Sequence, residues 1–359
     1  MSHPKKTATT PIVTTNPIAT TNTDNESAPL DGVDLILADL DGVVYRGPVA
    51  IPHAVESLNA AARDRRVAYI TNNASRTSAS VAQYLTSLGL TVTADDIVTS
   101  PQAAVRLLAA LVPAGSTVLV VGGEGLRDEL HKAGFLATDS ARDHPVAVIQ
   151  GFAPELGWKQ LAEAAFALQG DGGQLPWVAT NTDWTLPTER GLAPGNGTLV
   201  SAVHTAVGRL PVVAGKPEAA IFEEAVSRFG GTKPLFLGDR LDTDILGANR
   251  AGIDSVLVLT GVDQAKQLLA ADAASRPTFL LDDLRQLSEP YPRTRTDTDP
   301  GSGDRLITVG DAAITVAGSV ITIARAGSRS IDLLRAGCAA IWDSGMPIYA
   351  LEVPPQLYE

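Results

Sequence analysis

Leu35-Ile36-Leu37-Ala38 is apolar at every residue and stops on Asp39-Leu40-Asp41-Gly42. A short run with no polar alternation is buried on both faces, which is the environment of a strand in a parallel sheet. The texture recurs at Val67–Ile70, Thr117–Val121, Val146–Gln150, Trp177–Thr180, Val212-Val213, Pro234–Leu237 and Ser255–Leu259. Between these runs, apolar spacing predicts helices at Ile51–Ala62, Ser78–Leu88, Pro101–Leu111, Trp158–Leu168, Gly197–Val207, Pro217–Phe229 and Asp244–Ala251. Gly89 is placed to stop the second of these as a left-handed cap. Strand and helix alternating in this way predict an α/β chain with a doubly wound parallel sheet.

The two ends differ. Residues 1–30 hold eight Thr, four Pro and no Phe, Trp or Tyr, a composition that cannot offset its ordering entropy. They are expected to be a disordered tail, and no apolar core follows Lys5-Lys6 to make a secretory signal. Residues 288–304, with three Pro, three Thr and several charges, read as a linker. In 305–359, Leu306–Val309, Ala313–Val316 and Val320–Ala324 alternate apolar and polar, and a helix is expected near Ser330–Ile341. That piece reads as a small β-hairpin-plus-helix extension. Its partner surface could be the rest of the chain, a second subunit or another protein.

Composition narrows the function. A net charge of −12 argues against nucleic acid as a partner. The lone Cys338 excludes an internal disulfide or a cysteine zinc cluster, and none of the five His falls in an H-E-x-x-H spacing. No run approaches the eighteen or so apolar residues of a membrane span. A cytoplasmic location is expected.

In open α/β sheets ligands bind at the carboxyl ends of strands, so the polar residues there carry most information. Four strand ends deliver Asp39-Leu40-Asp41-Gly42, Thr71-Asn72-Asn73-Ala74-Ser75-Arg76, Gly215-Lys216-Pro217 and Gly238-Asp239-Arg240-Leu241-Asp242-Thr243-Asp244. Singly, each has a plainer reading: a polar turn, a helix cap, a solvated lysine, an acidic face. Together they suit phosphoryl transfer to an aspartate, with a second acid two residues away to protonate the leaving oxygen. Such a step needs its charge neutralised by Mg²⁺, a lysine, and hydroxyl or amide donors. Two like charges 4 Å apart repel by roughly 4 kcal/mol at an effective dielectric near 20, so clustered carboxylates also ask for a cation. Gly122-Gly123-Glu124-Gly125 resembles part of a dinucleotide loop, but the third glycine would fall at 128, which is Asp128. A tight strand–helix turn is the simpler expectation.

The four motifs resemble those of the haloacid dehalogenase superfamily, in wording closest to its NagD-like, p-nitrophenylphosphatase-like branch, over about Asp34–Leu284. The resemblance implies a Mg²⁺-dependent phosphatase of a small phosphomonoester, with Asp39 as nucleophile and Asp41 as general acid/base. It further implies that Thr71 and Asn72 bind the phosphoryl group, with Asn73 and Arg76 beside them, and that Lys216 stabilises its charge. Asp39, the carbonyl of Asp41, and Asp239 would hold Mg²⁺, with Asp244 behind them. Thr71 and Lys216 stand 145 residues apart, far more than one βα unit needs. Residues 31–112 and 211–287 are therefore expected to form the core, and 113–210 an inserted domain resembling the branch's C2-type α/β cap. Its expected substrate loop is Asn181–Pro187, with Asp183 and Trp184, and the turn Pro194–Gly197 has a similar claim. An actinobacterial group in this branch has a C-terminal extension and resembles the chain. That likeness implies glycerol 3-phosphate as substrate, ahead of 2-phosphoglycolate, pyridoxal 5′-phosphate and phosphosugars. Homodimers are an expectation by the same likeness, and a ligand-sensing or regulatory protein on this fold is the alternative of another class.

Overall fold

The structure is a computed structural model that describes residues 26–359 apart from 171, 173 and 189. Six parallel strands form the larger sheet, in the order Phe279–Leu281, Asp254–Val258, Pro234–Gly238, Leu35–Ala38, Arg66–Thr71, Ile97–Thr99. All four residues of Leu35–Ala38 are buried, as an unbroken apolar run requires of a central strand. The chain winds away from this strand on one side through Arg66–Thr71. It returns nearly two hundred residues later on the other side through Pro234–Gly238, leaving a crevice at the carboxyl ends of the three.

A second parallel sheet fills the gap, in the order Val212–Val213, Trp177–Ala179, Ala147–Gln150, Thr117–Val121, Leu136–Thr138. The two sheets approach backbone to backbone. A Cβ on Gly125 would stand 2.6 Å from the Arg76 carbonyl oxygen, and one on Gly151 would stand 3.2 Å from Ala74. Gly123 and Gly125 are therefore contact points at a strand–helix turn, with the helix Glu124–Lys132 beginning there.

Several expectations need correction. Residues 1–25 of the expected tail lie outside the described residues, but its last residues are held. Leu30 is buried and donates its N–H to the Leu287 carbonyl at 3.2 Å, while the Ser27 carbonyl accepts from Tyr291 N–H at 3.1 Å. The segment read as a linker contains Thr294–Thr298, which pairs antiparallel with Arg305–Val309. Its Thr-rich alternation is that of an exposed edge strand. The extension is accordingly a four-stranded antiparallel sheet, completed by Ala312–Ala317 and Val320–Arg325, with the helix Ser330–Trp342 across it.

That helix is buried at every residue from Ile331 to Trp342, which follows from a sequence apolar nearly all round. One side meets the antiparallel sheet. The other joins an apolar cluster that includes Leu257, Leu268, Leu269 and Leu280 of the parallel-sheet unit. No helix among the described residues is long and apolar enough to cross a membrane.

A chain ended after Pro290 should be markedly less stable. Burying one leucine contributes about 1.5–3 kcal/mol, so uncovering several costs a large part of a typical 5–15 kcal/mol folding free energy. Thermal unfolding of the shortened chain should show a melting point well below that of the full chain. Equal melting points would mean that the extension merely rests on the surface.

Candidate active site

Asp39 leaves the central strand with its N–H bonded to the Leu237 carbonyl at 2.8 Å, so the ladder itself sets its position. Lys216, only 4% exposed, donates from Nζ to Asp39 Oδ1 at 2.5 Å and to Asp244 Oδ1 at 2.6 Å. Asp244 lies in the helical turn Leu241–Ile245 that follows Pro234–Gly238, and its Oδ2 accepts the N–H groups of Asp239 (3.1 Å) and Arg240 (3.2 Å). Asp239 Oδ2 accepts from Val262 N–H at 2.6 Å, while its buried Oδ1 has no partner among the described residues. Carboxylate oxygens of Asp39, Asp239 and Asp244 all lie within 4.8 Å of one another.

Two glycines allow this crowding. Gly42 sits at φ +80°, and a Cβ there or on Gly261 would overlap the Asp239 carboxylate. Burial pushes the Asp39 carboxyl up to about 7, with the Lys216 charge opposing the rise and the Asp244 charge adding to it. Asp239 is pushed up to about 8 by burial, reinforced by Asp244 and Asp39. Burial alone would lower the Lys216 ammonium, but the two carboxylates it bridges more than reverse that and raise it. Three acids around one cation, with an orphaned buried oxygen, fit a divalent cation that takes oxygen ligands.

Asp41 stands at the mouth, where its carboxyl is raised by the surrounding protein and drawn down by Lys216, Arg76 and the Tyr45 hydroxyl. Thr71 is buried, and its Oγ1 accepts from Asn73 N–H at 3.1 Å, which leaves the hydroxyl proton to donate. Asn73 turns to its own loop and accepts from Ser75 N–H and Oγ at 2.9 and 2.8 Å. Arg76 lies over the Tyr84 ring, 5.9 Å from its centroid, with its charge felt at Asp41. Asp242 leaves the acidic cluster for a two-pronged pair with Arg240 at 3.0 and 2.9 Å.

The Asn72 side chain is spent on protein. Its Oδ1 accepts from Lys216 N–H at 2.9 Å, and its Nδ2 donates to the Lys216 carbonyl at 3.1 Å and to Asp183 Oδ1 at 3.1 Å. Asp183 therefore comes into the site as a partner of Asn72. Trp184, the next residue, is 67% exposed at the start of the hairpin Thr185–Thr188 and Gly191–Pro194. The loop Thr260–Val262 was not anticipated. It follows Asp254–Val258, holds Asp239 through Val262 N–H, and holds Gly42 through Thr260 Oγ1–H to the glycine carbonyl at 2.7 Å.

Comparison with known proteins agrees with this geometry. Residues 36–136 match the model of the haloacid dehalogenase-like hydrolases, and 213–287 match a second haloacid dehalogenase hydrolase-like model. The D-glycerol 3-phosphate phosphatase of Mycobacterium tuberculosis is 44% identical over 318 residues, spanning 87% of this chain and 86% of that protein. Human chronophin is 35% identical over 273 residues, spanning 71% and 92%. The crystal structure of the M. tuberculosis glycerol phosphate phosphatase in complex with magnesium superposes with a TM-score of 0.78 at 40% identity, covering 90% of this chain and 94% of that one. The p-nitrophenyl phosphatase of Archaeoglobus fulgidus gives 0.65 at 29%, covering 72% and 98%. The chain belongs to the haloacid dehalogenase-like hydrolase family. Within it, the chain falls in the branch made up of phosphoric monoester hydrolases.

The raised carboxyls give a signed prediction. Between their ordinary range near 4 and values of about 7 and 8, Asp39 and Asp239 bind more protons folded than unfolded, so stability falls as pH rises through that window. Metal-free protein should therefore lose melting temperature from pH 5 to pH 8, and Asp239→Asn should lose less. Parallel slopes for the two proteins would contradict this account of the cluster.

Proposed function

We propose that this chain is a Mg²⁺-dependent phosphatase that hydrolyses a small phosphomonoester through an aspartyl-phosphate on Asp39. The observation that carries the reading is Lys216 bridging Asp39 and Asp244 beside the unpartnered oxygen of Asp239. A carboxylate nucleophile, a fixed cation and an incomplete acidic site then share one strand-end crevice.

Asp39 attacks phosphorus while the bond to the ester oxygen breaks, and Asp41 delivers its proton to the departing alkoxide. The raised carboxyl of Asp41 favours the protonated form this requires. In the second step Asp41 takes a proton from water, the water oxygen attacks phosphorus, and the bond from Asp39 to phosphorus breaks to release inorganic phosphate. Lys216, the Thr71 hydroxyl and the Asn72 backbone N–H stabilise the phosphoryl oxygens. Asp39, Asp239 and the Asp41 carbonyl would hold Mg²⁺, which neutralises charge on the transferring group. Asp244, with its oxygens taken by Lys216 and two backbone N–H groups, supports them from behind. The second sheet, whose strands run from Thr117–Val121 to Val212–Val213, serves as the cap that keeps water out and selects the leaving group, with Trp184 at its edge.

Glycerol 3-phosphate is the substrate we favour. Support comes from the 44% identical mycobacterial relative named for it, whose match covers 87% of this chain where that of human chronophin covers 71%. 2-Phosphoglycolate, pyridoxal 5′-phosphate and phosphosugars follow. In an assay of released phosphate over these four classes, glycerol 3-phosphate should give the highest kcat/KM, and a far better competitor would overturn the choice. Asp39→Asn should lower kcat by about a thousandfold or more, as loss of a nucleophile does. EDTA should abolish turnover and added Mg²⁺ restore it, whereas full activity in EDTA would remove the metal from the mechanism.

A further inference from the structure

Asn72 ties together three separate stretches of chain. Its amide grips the backbone of Lys216 on both sides, accepting from N–H at 2.9 Å and donating to the carbonyl at 3.1 Å. An asparagine amide has two donor hydrogens, and the second goes to Asp183, at 3.1 Å from Oδ1 and 3.3 Å from Oδ2. An ionised carboxylate only accepts, so it fixes which end of the amide faces Lys216. With the amide reversed, an NH₂ group would face the Lys216 N–H and the grip would fail.

Asp183 is itself held firmly by the inserted sheet. Its N–H donates to Asn181 Oδ1 at 3.1 Å, and its carbonyl accepts from Gly197 N–H at 2.9 Å. Asn181, buried, donates from Nδ2 to the Asn72 carbonyl at 2.8 Å, and its own carbonyl accepts from Asn196 Nδ2 at 2.7 Å. Cβ atoms on Gly195 and Gly197 would overlap the carbonyls of Asp183 and Thr182, so the start of the helix Asn196–Val207 locks this loop from beneath. A Cβ on Gly215 would likewise overlap the Thr180 carbonyl, which brings the segment leading to Lys216 directly against the inserted sheet.

We infer that Asp183 is a positioning residue for the phosphoryl site: by orienting the Asn72 amide it sets the backbone of Lys216, so the lysine is aligned only while the inserted sheet is seated on the core. This rests on the phosphatase reading above for the role of Lys216. It assigns Asp183 to site assembly, where its place on the cap would suggest recognition of the leaving group. Misplacing a charged group by about 1 Å can cost up to about a hundredfold in rate, so the link has kinetic consequences.

The two roles separate in a substrate comparison. Steady-state kinetics of wild type, Asp183→Ala and Asp183→Asn would be measured with glycerol 3-phosphate and with p-nitrophenyl phosphate, both with Mg²⁺. Asp183→Ala should lose at least about tenfold in kcat on both esters alike. Asp183→Asn, which keeps an acceptor oxygen for Asn72, should recover most of that loss. An unchanged kcat, or a loss confined to one ester or to KM, would overturn the assignment. Amide hydrogen exchange at Lys216 reads the link without turnover: exchange should be faster in Asp183→Ala, and unaltered protection would also overturn it. Wild type is assayed first, so inactivity towards every ester counts against the phosphatase reading and stays distinct from a loss in the variants.

Discussion

Three buried carboxylates converging on one buried ammonium set the terms for everything around them. Charges taken out of water are costly, and removing one partner from such a group is far worse than having none of it. Lys216 can bridge Asp39 and Asp244 only because two parallel strands hold the acids side by side. Gly42 and Gly261 leave room for Asp239 beside them, and the N–H groups of Asp239, Arg240 and Val262 absorb what negative charge remains. Burial, with the Asp244 charge adding to it, holds the carboxyls of Asp39 and Asp239 well above their usual range. A structure that is merely stable would have no reason to gather these groups; one that must take charge from a phosphate ester does.

This central arrangement was legible in the sequence because each part is a side chain at the end of a recognisable apolar run. Asp39, Thr71, Lys216 and Asp239 could be read that way. The parts that eluded it have no such mark. Val262 contributes a backbone N–H, which every residue but proline carries, so no residue type announces it. Asn72 was readable as a polar group at a strand end, but its side chain is taken up by the Lys216 backbone and Asp183, and such distant partners are a tertiary property. Ile97–Thr99, Leu136–Thr138 and Phe279–Leu281 are three-residue strands, too short for any periodicity to show. Thr294–Thr298 is polar because it is an outer strand, and it was lost within a segment whose prolines and charges suggested a linker.

The acidic character of the chain also gains a location. A net charge of −12 opposes long-range capture of an anionic ester. The site counters it at close quarters, with Lys216 inside and Arg76 and Arg240 near the mouth, where Arg76 is felt at Asp41 and Arg240 at Asp183. Association therefore depends on short-range contacts, and salt, which screens the opposing net charge, favours it where it would weaken a steered encounter.

The burial of the helix Ser330–Trp342 on all sides has a consequence for how the molecule comes into being. Synthesis runs from the amino end, and upstream segments begin to fold as they emerge. Here Leu35–Ala38 must wait for Pro234–Gly238 to complete its sheet, and Leu257, Leu268, Leu269 and Leu280 stay uncovered until the last sixty residues arrive. That apolar face therefore stays open from the synthesis of Leu257 until Ser330–Trp342 emerges, and the C-terminal segment decides when this exposure to misassociation ends.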